Sequence, residues 1–242
     1  MERLIFSPWR ELLLEEIGKY YSGKENTHGL GHARQVEELV LEIAQEPEYC
    51  RFGLDLEILT AAALLHDTGY SQKRPEWFDD QREHVQEGMR IAQETLRTIP
   101  SFSEAPLRIE KVLYLILNHD NTNYLFPIKG REGRPAITNE WVRQAEKREE
   151  SGVAMLAILK EADGLLATGY QGAERTLEFN LSQSVPLFAR GDPLRAWMWG
   201  ESAVGSVRLA AKRALLDART EKGKKLAWQG YLEAEELIKK AC

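Results

Sequence analysis

The chain has 242 residues, 43% hydrophobic and 29% charged, with a formal net charge of −6. That composition suits a globular protein with a sizeable core, and its acidic balance argues against general nucleic-acid binding, which needs a basic field to neutralise phosphates. No apolar stretch approaches the ~18–20 residues that span a bilayer, so no membrane partner is expected.

The start, MERLIFSPWRELLLEE, is too acidic, and its apolar part too short, to read as a signal peptide. Cys50 and Cys242 offer no disulfide framework, which suits a reducing cytoplasm. Apolar residues then recur at helical spacing along most of the chain, and no run of alternating β-branched residues compels a strand. Helices are predicted over roughly 8–21, 30–46, 54–67, 80–98, 105–119, 138–149 and 151–163, with two or three more after 190. Pro100 and Pro106 break one helix from the next. Two long loops are expected, at 121–137 and around 179–193, and loops of such length in a compact domain are commonly functional. The whole reads as a single all-α domain over 1–242, with a C-terminal helical extension from about 181.

The five histidines fall in a pattern. His32 extends the face formed by Val36, Leu39, Val40 and Ile43. His66 is the next member of the stripe Leu59, Ala62, Ala63, and His119 follows Val112, Leu115 and Ile116 at the same spacing. His84 leads Gly88, Ile91 and Thr95, and Asp163 follows Leu156 and Leu159. Any one of these read alone is a hydrogen-bonded core residue or a turn: Asp163-Gly164 alone reads as a helix stop, and His66-Asp67 as a helix C-terminus. A carboxylate at that end is opposed by the helix dipole unless a cation offsets it. Five segments that each aim a ligand inward favour a metal site, and imidazole with carboxylate suits iron, manganese, zinc or nickel rather than magnesium or calcium alone.

The order His32, His66-Asp67, Asp163, in the settings HGLGHARQV, AAALLHDTG and LKEADGLLATG, resembles the HD superfamily of metal-dependent phosphohydrolases. The resemblance covers about residues 26–180. The segment ADGLLATGYQGAERT is similar to the end of the core in bacterial HD-domain nucleotide pyrophosphohydrolases. It implies an all-α, HD-like helical bundle in which His32, His66, Asp67 and Asp163 hold one divalent metal. His84 and His119 resemble the added histidines of two-metal members, among them diadenosine-polyphosphate hydrolases, cyclic-dinucleotide phosphodiesterases and mixed-valent di-iron oxygenases. Carried over, they join a second ion with Asp67 bridging. His28 matches no ligand position and is expected to be peripheral.

The function implied is hydrolysis of a phosphoester or phosphoanhydride bond in a nucleotide or other small phosphorylated metabolite by metal-activated water. A di-iron oxygenase and a metal-binding regulatory module are the alternatives. Asp67, Lys73 and Asp120 are the candidate catalytic residues. Arg74, Lys129, Arg131 and Arg134 are candidates for holding substrate phosphate. One or two ions per chain are expected, iron or manganese before zinc or nickel. The cluster RAWMWGE (195–201) reads as a surface clamp or dimer contact before a platform for stacking a base, and whether the chain forms a homo-oligomer stays open.

Overall fold

A computed structural model describes residues 7–21, 28–71, 81–119, 151–182, 186–187 and 202–241, and every regular element among them is helical. The all-α expectation holds. The chain divides into two compact units, Met1–Lys160 and Glu161–Cys242.

In the first unit, α1 (Pro8–Tyr21) begins with proline, whose missing N–H is no loss in a first turn, and buries Leu13, Ile17 and Tyr21. Next come α2 (Leu30–Ile43) and the single turn α3 (Pro47–Cys50). Helix α4 (Leu56–Leu65) is buried all round from Ile58 to Leu65, as expected of a central helix. Its start is fixed by Asp55, whose carboxylate accepts the Glu57 and Ile58 N–H groups, both at 3.2 Å. Arg108 ties the same end down, donating to Asp55 at 3.0 Å and Glu57 at 2.6 Å. A 3₁₀ turn (Thr68–Ser71) follows, and then α5 (Gln81–Arg97). The short α6 (Pro100–Ser103) and then α7 (Pro106–His119) both start on the prolines expected to break the ladder. Helix α4 packs against α1, α2 and α7, while α5 packs against α7 and the 3₁₀ turn. Tyr21, on α1, donates its hydroxyl to the Leu64 carbonyl at 2.9 Å, one residue before the end of α4.

Helix α8 (Ser151–Leu166) supplies residues to both units. The second unit continues with α9 (Gly169–Ser182), α10 (Ala203–Asp217) and α11 (Glu221–Ala241), which pack against one another around Ala173, Val204, Val207, Ala211, Ala234 and Ile238. Glu161 is fully buried at the start of α11. It accepts from the Arg219 N–H (3.1 Å), the Thr220 N–H (3.2 Å) and the Thr220 hydroxyl (2.6 Å). An anion there offsets the positive end of the helix dipole.

Two readings of this region are corrected. Asp163-Gly164 does not stop α8, which continues to Leu166. Gly164 is instead a contact point: a Cβ built on it would lie 3.4 Å from the Cα of Ala214 on α10. Helix α9 was not expected, and it occupies the start of the stretch assigned to a loop from about 179. Its glycines and threonine mimic a turn, yet Ala173 and Leu177 recur at helical spacing and pack into the core of the unit. The expected helix at 138–149, the loop at 121–137 and the 195–201 cluster lie outside the described residues.

Candidate metal centre

The first unit brings five of the expected ligands together. His32 lies in the first turn of α2, His84 near the start of α5, and His119 is the last residue of α7. His66 is the cap residue that closes α4, and Asp67 follows it. All five are buried. They form two groups that share one carboxylate, His32–His66–Asp67 and Asp67–His84–His119. Within each group one donor atom per residue lies within 4.8 Å of the others.

Asp67 turns one oxygen to each group. Its Oδ2 is 3.2 Å from His66 Nε2 and 3.7 Å from His32 Nε2, and its Oδ1 is 3.6 Å from His119 Nε2. Burial alone would push this carboxyl upward. In their protonated form the imidazoles of His66, His28 and His119 outweigh it and hold the group well below the ordinary carboxylate range.

The backbone decides which ring nitrogens face inward. His66 Nδ1 lies 2.7 Å from the Ala63 carbonyl, and His119 Nδ1 lies 2.7 Å from the Ile116 carbonyl. A carbonyl only accepts, so each Nδ1 carries the proton, and in the neutral ring the Nε2 lone pair faces Asp67. Lone pairs and a buried carboxylate that converge in this way are stabilised by a shared cation. The donor set therefore fits a divalent transition metal.

His28 is corrected from peripheral to adjacent. Its Nδ1–H donates to Asp67 Oδ2 at 2.7 Å, a contact shorter than those of His66, His32 and His119 to the same carboxylate. It precedes α2 and so belongs to no helical stripe, which is why periodicity missed it. The only signal in the sequence was its place four residues before His32.

Gly69 sits where only a glycine fits. A Cβ at this position would overlap the His84 carbonyl oxygen and come within 2.6 Å of the Gly88 nitrogen. Glycine here lets α5 close onto the 3₁₀ turn and carries His84 to Asp67.

Asp163 belongs to the second unit, where it faces the Arg213 guanidinium at 3.7 Å; Arg213 also lies 3.4 Å from Asp217. Burial lowers the Arg175 guanidinium there, and the charge of Asp163 opposes that shift. Lys73, Arg74, Asp120, Lys129, Arg131 and Arg134 lie outside the described residues.

A helical bundle that gathers an adjacent His-Asp pair with histidines from three other helices defines a recognisable class. Residues 29–168 match the HD domain family, and the chain belongs to it. Solved structures with the same fold include a protein of Lactobacillus plantarum (TM-score 0.64, 14% identity, covering 98% of this chain and 96% of that one). Another is Bacillus subtilis YpgQ, crystallised with ADP (TM-score 0.57, 17% identity, 96% and 93%). A third is Lin1889 of Listeria innocua (TM-score 0.52, 17% identity, 96% and 94%). No curated protein matches the chain. Among the described residues no helix is long and apolar enough to cross a membrane.

Proposed function

We propose that this chain is a metal-dependent phosphohydrolase that cleaves a phosphoester or phosphoanhydride bond in a nucleotide or other small phosphorylated metabolite. The observation that carries the reading is Asp67, buried between two imidazole groups, with the Nδ1–H of both His66 and His119 engaged by backbone carbonyls. His32, His66 and Asp67 would hold one divalent ion, and Asp67, His84 and His119 a second. Asp163 is assigned to the ligand set by the family pattern alone. When bound, the metal supplies a water activated near neutral pH and polarisation of a phosphoryl oxygen.

The remaining work falls to the chain itself. His28 holds Asp67 in orientation, and the carbonyls of Ala63 and Ile116 fix the tautomers of their imidazoles. Lys73, Arg74, Lys129, Arg131 and Arg134 are proposed to neutralise substrate phosphate, and Asp120 to accept a proton. YpgQ, alike in fold and crystallised with ADP, makes nucleotides the first substrates to try. The reducing cytoplasm is the proposed location.

The test is release of phosphate or pyrophosphate from a panel of nucleoside mono-, di- and triphosphates with Mn²⁺ or Fe²⁺. Activity lost in Asp67→Asn supports the reading. A metal-loaded protein that is inactive throughout but consumes oxygen, with a mixed-valent spin-resonance signal, would replace it with the oxygenase.

A further inference from the structure

The two ligand groups are joined by more than Asp67. Tyr70, in the 3₁₀ turn three residues beyond that carboxylate, lies between two imidazoles. Its ring is 4.2 Å from that of His28, with planes 18° apart, and 3.9 Å from that of His84, with planes 16° apart. His28 is the residue whose Nδ1–H donates to Asp67 Oδ2, and His84 belongs to the other ligand group. The backbone sets the position of the tyrosine, because the Tyr70 N–H bonds the Asp67 carbonyl at 3.1 Å. One flat side chain, anchored on Asp67, therefore meets the ring that orients the shared carboxylate and a ring of the second group.

We propose that Tyr70 is a positioning residue for the second metal-ion group: by stacking between His28 and His84 it fixes the plane of the His84 imidazole against Asp67. The inference rests on the two-group metal reading above. A ligating imidazole must bring its lone pair onto the ion, and ring rotation is the freedom that spoils this. His66 and His119 are held against rotation by backbone carbonyls at their Nδ1 atoms. His84 is held by a parallel ring at close contact. Stacking needs the aromatic plane and not the hydroxyl, so phenylalanine fulfils the role and leucine does not.

The test is metal binding, independent of turnover. Metal-free full-length protein is titrated with Mn²⁺ in a calorimeter, and ions per chain are counted by elemental analysis, for wild type, Tyr70→Phe and Tyr70→Leu. Wild type and Tyr70→Phe are expected to bind two ions. Tyr70→Leu is expected to keep the first and bind the second about tenfold or more weakly, the loss typical when a group that orients a ligand is removed. Two ions bound by Tyr70→Leu as tightly as by wild type overturn the inference, as does Tyr70→Phe failing as badly as Tyr70→Leu. A wild type that binds one ion overturns both the second group and the role of Tyr70 in it. Two ions without hydrolysis sink the phosphohydrolase reading and leave this inference standing. Should Tyr70→Leu not fold, the stack is still tested in the wild type by its ring-proton shifts. In the metal-free protein the ring protons of His28 and His84 are expected upfield of ordinary imidazole positions, and ordinary positions would refute the stack.

Discussion

Gly69 shows how narrowly the centre is specified at the scale of one residue. A methyl group there meets the His84 carbonyl and the Gly88 nitrogen, both of them backbone, so no side-chain rotation relieves the overlap. Gly69→Ala is expected to cost about 3 kcal/mol in urea unfolding, the upper range for overpacking a tight contact. It should also weaken uptake of the second Mn²⁺, because the relief must come from moving α5 and His84 with it. Unchanged stability would show that the approach of α5 is looser than described. The inward histidines were legible because a ligand on a buried helix extends an apolar stripe, as His119 extends Val112, Leu115 and Ile116. His28 and Tyr70 were not. Their contacts join positions far apart in the chain through geometry that no local period records, 39 residues apart in the case of His28 and Asp67.

At the scale of elements, the longer helices were legible to within a few residues where a proline or an acidic cap marked the start, as at Pro8, Asp55 and Pro106, while the single turns begun by Pro47 and Pro100 were not. They were illegible where small residues serve packing. Gly164 reads as a stop in sequence, yet it sits inside α8 because α10 approaches there. Glu161 is a further case, a buried charge whose partners lie 58 and 59 residues later. Removing it leaves the Thr220 N–H buried, and the Arg219 N–H half-buried, without their acceptor. Glu161→Ala is therefore expected to destabilise the protein by about 2–3 kcal/mol, with Glu161→Gln recovering part of the loss. Thermal or urea unfolding measures both. A glutamine variant no better than alanine would show that the charge at the helix end matters more than the hydrogen bonds.

For the whole molecule, the five proposed ligands come from four segments of the first unit and must be assembled before an ion binds, so binding would favour the folded chain over the unfolded one. Free Mn²⁺ at a hundred times its dissociation constant contributes about 2.7 kcal/mol. For a chain of this length that raises the melting temperature by roughly 5–10 °C over the chelated protein. Asp67→Asn should abolish the difference; a chelated wild type that melts where the loaded one does would mean that the cluster holds no ion.

The most direct test of the central claim compares wild type with Asp67→Asn, each incubated with Mn²⁺ and the nucleotide panel, with metal content and released phosphate or pyrophosphate measured on the same samples. Wild type is expected to bind metal and hydrolyse at least one nucleotide, with both lost in the variant. Hydrolysis that continues undiminished in Asp67→Asn, or a fully metal-loaded wild type that cleaves nothing, would contradict it.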